Sequence, residues 1–376
     1  LIKIKISSES QHSFSFPLIG YIGYGITKFF NAFKKFSLLL DKLETMSLGS
    51  NVKDIIIDKP IFITGLARAG TTIVLEMLSK HPDLATHKYK HLLMPYLPFW
   101  TSKIVKRLNI YTTPFERIHM DGILITHESP EAVEEMFWQT FFKDLHNDQV
   151  SNEIQVTNSN PQFEEFYKNH IRKLMMEQNS SRYLAKNNYL LSRLQYLHKI
   201  FPDAKFLMII RNPVNHIASL IKQTDLFRNI EHIAPILQDW LKITGHYEFG
   251  YQQNCINVGN TELIDEIHRS WQSKKTRVEG WACYWSLVYN YIMNVLESDE
   301  ELRKATLVVK YEELCKKPSQ VIDQILEHLE LSSRNFSDIK NYYVKHLHEP
   351  TYYKPNFSKV DLLNIQEITN RTVARY

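Results

Sequence analysis

A three-layer α/β/α fold around a central parallel sheet is what this sequence predicts, and three observations predict it. Four short apolar runs, "PIFITGL" at 60–66, "RYLAKN" at 182–187, "KFLMIIR" at 205–211 and "TLVVKY" at 306–311, have the length and near-continuous apolarity of strands buried on both faces. Helical patterns lie between them: "TTIVLEMLSKH" after the first, "PVNHIASLIKQ" after the third and "PSQVIDQILEHLEL" after the fourth. The first run meets its helix through "GLARAG", where Gly65 and Gly70 frame a tight loop. Strand alternating with helix places ligands outside the carboxyl ends of the strands.

Around these units the chain divides into a helical N-terminal arm, residues 1–50, and one large domain, residues 51–376. Two stretches, about 87–181 and 222–280, are too long for simple loops and carry helical patterns such as "SPEAVEEMFWQTFF". They are expected as helical insertions that wall an acceptor site. In the arm, residues 17–40 are the most apolar stretch, but Lys28, Lys34 and Lys35 interrupt it before a membrane span can accumulate. Phe29, Phe30, Phe33 and Phe36 recur at helical spacing, which fits a helix packed on its own domain or one resting on a membrane surface.

Composition sets the broad class. A chain of 376 residues with 44% hydrophobic and 23% charged content can bury a sizeable core, and its net charge of +4 suits an anionic substrate without arguing for nucleic acid. Cys255, Cys283 and Cys315 are odd in number and lack C-x-x-C spacing, so neither a disulfide framework nor a zinc site is indicated and a cytoplasmic, reducing location is expected. Aromatic residues crowd "MPYLPFW", "MFWQTFF" and "GWACYWSLVYNY"; Trp281 and Trp285 share a helical face, which favours core over an acceptor wall.

The glycine loop carries the chemistry. Backbone N–H groups of such a loop and of the first helical turn, with the helix dipole, bind phosphate-like oxygens. A nucleoside triphosphatase would follow Gly70 with lysine and hold Mg²⁺ with an acidic residue on a second strand. Here Thr71 stands at the lysine position, the cation is Arg68 inside the loop, and the third run ends in Arg211. Two arginines and no metal carboxylate at the strand ends favour metal-free handling of an anion, so no metal is expected. Asn212 and Pro213 read as the cap and first residue of the next helix, leaving Arg211 at the strand exit and Ser219 in the second helical turn.

"PIFITGLARAGTT" and "FPDAKFLMIIRNPVNHIAS" together resemble the sulfotransferases that use 3′-phosphoadenosine 5′-phosphosulfate (PAPS). The first is similar to their 5′-phosphosulfate loop, with Ala67 and Ala69 at positions where the family pattern has Pro and Ser; the second is similar to their 3′-phosphate motif, an arginine followed eight positions later by a serine, here Arg211 and Ser219. "RYLAKNNYLLSRLQYLHKIFPDAKF" and "TLVVKYEELCKKPSQVIDQILEHLEL" extend the likeness, which runs in outline from about 60 to 376. The resemblance implies an enzyme moving a sulfuryl group from PAPS to a hydroxyl or amine of a carbohydrate, lipid or other small molecule. It implies Arg68, Ala69, Gly70, Thr71, Thr72, Arg211 and Ser219 as the PAPS contacts, and Lys186, with Asn187 beside it, near the transferred group.

Related enzymes use His or Glu as general base. The region after the loop, "HPDLATHKYKHLLM", offers His87 and His91 but no Glu; His119 in "ERIHMDG" is preferred, then Glu131, with His127 and Glu128 behind them. Two other readings stay open: a P-loop kinase or other phosphotransferase, and a non-catalytic nucleotide-binding protein on the same fold.

Overall fold

The computed structural model describes residues 3–5, 13–15, 18–110, 112–349 and 355–376. Its centre is a five-stranded, all-parallel sheet of β1 (Ile61–Thr64), β2 (Leu84–Thr86), β3 (Arg182–Lys186), β4 (Lys205–Ile210) and β5 (Thr306–Lys310), in the order β2-β3-β1-β4-β5. The four apolar runs supply four of these strands. The fifth, β2, has three residues, too few to stand out as an apolar run, and pairs only with β3.

Alternation along each strand feeds two cores. Phe62, Tyr183, Phe206 and Met208 face one cluster, whereas Ile61, Ile63, Leu184, Leu207 and Ile209 face the other. The second cluster is closed by the helix after the glycine loop and by the segment around Val321–Leu326. The first is larger and takes in the aromatic segments: Trp138, Trp281 and Trp285 are fully buried, which bears out the core reading. Burying both faces is the condition under which an all-parallel sheet is found.

The helices that position the site are α1 (Leu18–Ala32), α2 (Lys34–Leu48), α3 (Thr71–Leu78), α4 (Glu135–Phe141), α5 (Pro161–Gln178), α6 (Pro213–Ile233), α7 (Ile236–Thr244), α8 (Arg277–Ser298) and α9 (Tyr311–Lys316). Asn212 caps α6 as expected, its side chain accepting from the N–H groups of Val214 and Asn215, with Pro213 in the first turn. Because the chain passes from β1 outward to β2, back to β3 and then across to β4, the carboxyl ends of β1 and β4 meet at a topological switch point.

The arm packs on the body through one face. Lys173 of α5 is fully buried and donates to Asp41 at 2.6 Å and Glu44 at 2.7 Å, both on α2; Glu44 also accepts from the Trp100 N–H at 2.6 Å. Thr27 of α1 donates to the Leu92 carbonyl at 2.7 Å. No helix among the described residues is long and apolar enough to cross a membrane.

Candidate active site

Residues 65–72 turn sharply at the end of β1. Gly65 (φ +145°) and Gly70 (φ +103°) take conformations that side chains resist, and close neighbours exclude a Cβ at both: it would lie 2.3 Å from the Ile209 carbonyl at Gly65 and 2.4 Å from the Tyr311 ring at Gly70. Arg68 sits at φ +71°, a left-handed conformation costing a non-glycine residue about 1–2 kcal/mol. Contacts from the neighbouring elements hold it there. His216 of α6 bonds the Ala67 carbonyl at 2.8 Å, its other nitrogen accepting from Trp285, and Arg211 donates to the Arg68 carbonyl at 3.1 Å. Burial pushes the His216 imidazole down to about 3, so it stays neutral and keeps one donor and one acceptor nitrogen.

The two motif segments meet here. Arg68 Nε lies 3.3 Å from Ser219 Oγ, and the Arg211 guanidinium lies over the Tyr311 ring at 5.2 Å with its Nε buried and without a hydrogen-bond partner. Thr71 and Thr72 open α3, where the first-turn N–H groups have no intrahelical acceptor. Ala69 is fully buried and offers its backbone alone, its N–H bonded to the Leu66 carbonyl.

A cavity of about 300 Å³ opens beside this loop. Arg68, Thr71, Thr72, Arg117, His119, Glu131, Lys186, Asn188, His246 and Glu248, with Lys90, Thr112 and His127, are its polar lining; the remaining wall is mainly apolar. The lining draws on both long insertions and on α1.

Sequence reasoning named Lys186, His119 and Glu131, and all three line the cavity. Burial lowers the Lys186 ammonium, partly offset by Glu248 and Glu131. His119 packs against Phe227 and Phe249, with Nδ1 buried and unbonded; burial, then Arg117 and Arg68, drive its imidazole well below the ordinary range. Glu131 accepts from the Ala132 N–H at 2.6 Å and bonds the Tyr89 hydroxyl. Asn187 turns away, donating to Glu135 and capping the turn at Tyr189. His87 stacks on His170 in the core, and Glu128 is held by Lys88 and Lys90.

Four residues went unnoticed in the sequence. Asp121 bonds Arg68 at 2.9 Å and Arg117 through two contacts, and burial, which favours its neutral form, is outweighed by these guanidinium groups, which hold the carboxyl well below the usual range. Arg117 also reaches Thr72 Oγ1 at 3.4 Å. His246 and Glu248 follow Gly245, the left-handed cap of α7. His246 Nδ1 is 3.4 Å from Glu248, Glu248 accepts from Asn188 at 2.9 Å, and Asn188 lies 3.5 Å from Thr71, so a chain of contacts links the loop to this histidine. Burial works against the charged form of both partners, yet their pairing wins: the imidazole is raised and the carboxyl is held down at about 2. The only local signal was the His-x-Glu spacing after a helix-ending glycine.

The cysteines gave no metal spacing, but the fold brings Cys255 within 4.8 Å of Asp148 and His268. That carboxylate already bonds His268 and the Cys255 N–H, and burial raises the thiol.

A model of the sulfotransferase family matches residues 60–265, more than half of the chain. Among solved structures, sulfotransferase STF9 of Mycobacterium avium has a similar fold, with a TM-score of 0.54 at 14% identity over 88% of this chain and 80% of its own. Sulfotransferase STF1 of Mycobacterium tuberculosis aligns over 94% of this chain and 86% of its own at 16% identity, with a TM-score of 0.47. No curated protein matches in sequence. With the loop and the strand-end arginine lying inside the matched segment, the chain belongs to the sulfotransferase family.

Proposed function

We propose that this protein transfers the sulfuryl group of PAPS to a hydroxyl or amine of an acceptor bound in the cavity. The observation that supports the reading best is the meeting of Arg68, Ser219 and Arg211, drawn from two segments far apart in sequence, beside the carboxyl ends of β1 and β4. The buried, unbonded Arg211 Nε supports it, because a cationic donor out of contact with water and protein acceptors fits a phosphate oxygen. In this reading Arg211 and Ser219 hold the 3′-phosphate, and Arg68 with the amides of Gly70, Thr71 and Thr72 holds the 5′-phosphosulfate, the Ala69 N–H being taken by the Leu66 carbonyl. The division into an arm, 1–50, and a catalytic unit, 51–376, belongs to the same proposal, as do a cytoplasmic location and a peripheral membrane contact through residues 17–40.

The acceptor's oxygen or nitrogen forms a bond to sulfur as the bond from sulfur to the 5′-phosphate oxygen breaks. The electron pair leaves with the 3′,5′-bisphosphate, and the acceptor's proton passes to a base. Arg68 and Lys186 neutralise the charge that grows on the sulfuryl and bridging oxygens. His119 has little proton affinity in its apolar slot, and Glu131 is engaged by Ala132 and Tyr89. His246 is the better base: Glu248 orients Nδ1 and stabilises the imidazolium that forms, leaving Nε2 for the acceptor. A kinase reading would need a cation after Gly70 and a metal carboxylate where Thr71 and Arg211 stand.

Calorimetry tests the donor site. Arg211→Ala is expected to weaken binding of adenosine 3′,5′-bisphosphate by roughly tenfold to a hundredfold, the range for hydrogen bonds to charged groups. Binding of adenosine 5′-monophosphate should change little. Equal losses for both nucleotides would overturn the assignment.

A further inference from the structure

The cavity lining is mostly apolar, with Lys90, Thr112, His127 and Thr244 as further polar residues besides the group around Arg68 and Lys186. Away from Arg68, Lys186 and His246 its wall is formed by side chains such as Leu93, Val105, Ile110, Trp240 and Phe249, and α1 closes it. Such a wall offers few partners for the hydroxyls of a sugar, whose desolvation would go uncompensated. It suits a hydrocarbon tail.

The closing helix is itself exposed on its outer side. Ile22 and Ile26 line the cavity and are also 54% and 38% exposed, so the cavity mouth lies at α1. From Ile22 and Ile26 the apolar surface continues through Phe29, Phe33, Phe36, Leu39 and Leu43, all exposed and spaced three or four residues apart across the junction of α1 and α2. A continuous exposed stripe of this size is unusual for a surface in contact with water alone.

The charges on the arm say what covers it. Its only two acids between residues 18 and 48, Asp41 and Glu44, are turned inward onto Lys173. Lys35 and Lys42, within one turn of Leu39, are exposed beside the stripe. An apolar stripe flanked by lysines, with no outward carboxylate of the arm's own and with Asp239 of α7 paired to Lys28, complements an anionic lipid surface, and like charges disfavour pairing with a second copy.

Resting on the sulfuryl-transfer reading above, we propose that the acceptor is a membrane-borne amphiphile, a long-chain alcohol or amine in the chemical sense, taken head-first from an anionic bilayer on which α1 and α2 lie. Its head reaches Lys186 and His246 while its tail trails along the apolar wall past Ile22 and Ile26 toward the lipid. The arm is then both the membrane contact and one wall of the acceptor site.

Two measurements test this on the full chain, and neither involves turnover. In flotation with phosphatidylcholine vesicles, added phosphatidylglycerol is expected to bring the protein up with the lipid, and the double variant Phe29→Glu, Phe33→Glu to lower that partition by about tenfold or more. Neither phenylalanine lines the cavity, so bisphosphate binding by the variant reports that it is folded. In calorimetry with bisphosphate present, dodecan-1-ol is expected to bind far more tightly than propan-1-ol, by about fourfold for each methylene the wall covers. Gly23→Leu, whose side chain would press on Leu93 in the lining, should weaken dodecan-1-ol and spare bisphosphate. The inference is overturned if the wild type ignores vesicles, if the double variant floats equally well, if the two alcohols bind alike, or if the double variant turns a wild-type dimer into monomers. A chain that binds vesicles and dodecan-1-ol yet transfers no sulfuryl group to any acceptor overturns the proposed reaction instead.

Discussion

At the scale of single residues, the site works by setting opposite charges against burial. Burial works against the charged form of both His246 and Glu248, and each favours the charged form of the other. If His246 takes the acceptor's proton, the rate falls as pH drops through a value raised from the ordinary histidine value by Glu248, because the base must be unprotonated. Glu248→Gln removes the carboxylate that raises the imidazole, so the acid limb of kcat/KM should move to lower pH while the plateau falls. His246→Gln is expected to lose about 10²–10⁴-fold in rate and to abolish that limb. A profile whose acid limb stays in place in Glu248→Gln would show that another group titrates. His119, neutral throughout the accessible range, would give no such limb.

At the scale of elements, α2 of the arm is tied to α5 by one buried cation. Lys173 is fully buried with Asp41 and Glu44 around it, and these are the contacts that attach α2 to α5. Lys173→Met leaves two buried carboxylates without a counter-charge, a change that costs about 3–5 kcal/mol when a buried pair is broken from one side. Denaturant unfolding should report that loss, and adding Asp41→Asn with Glu44→Gln should recover most of it, since all three charges then go together. The phenylalanine spacing made the helical character of this segment legible. Its break at Phe33 and its attachment were not, because Lys173 lies about 130 residues away and nothing local marks it as buried. Likewise β1, β4 and the glycine loop were legible because strand, turn and cap are written in adjacent residues, whereas Asp121, Arg117 and the His246–Glu248 pair come from insertions whose place beside the sheet is decided by packing.

Across the whole molecule, two adjacent acids give stability a preferred pH. Glu134 is buried between the Tyr167 and Tyr183 hydroxyls, and burial, with Glu135 adding to it, pushes its carboxyl up to about 7 despite those hydrogen bonds. Glu135 is equally buried, but Arg193 and His146 outweigh the burial and hold it at about 2. A raised folded pKa contributes stability that is full below the unfolded value and lost as pH rises through about 7; a depressed one contributes stability lost as pH falls from the ordinary carboxylate range toward about 2. Thermal midpoints should therefore decline on both sides of mildly acidic pH, and Glu134→Gln should flatten only the alkaline decline. A wild-type midpoint unchanged from pH 5 to pH 9 would contradict the assignment.

The tie between Arg68 and Asp121 also bears on how the donor arrives. The guanidinium that the proposed reading assigns to the phosphosulfate is already paired with a carboxylate from a short hairpin, Phe115–Glu116 paired with Leu124–Ile125, in the first insertion. On that reading the donor would exchange counter-ions with the protein, and the displaced Asp121 would keep Arg117 as its second partner. Such an internal rival lowers apparent donor affinity and makes the hairpin's position depend on whether the nucleotide is present. Asp121→Asn should then tighten bisphosphate binding, and the gap between variant and wild type should narrow as salt rises.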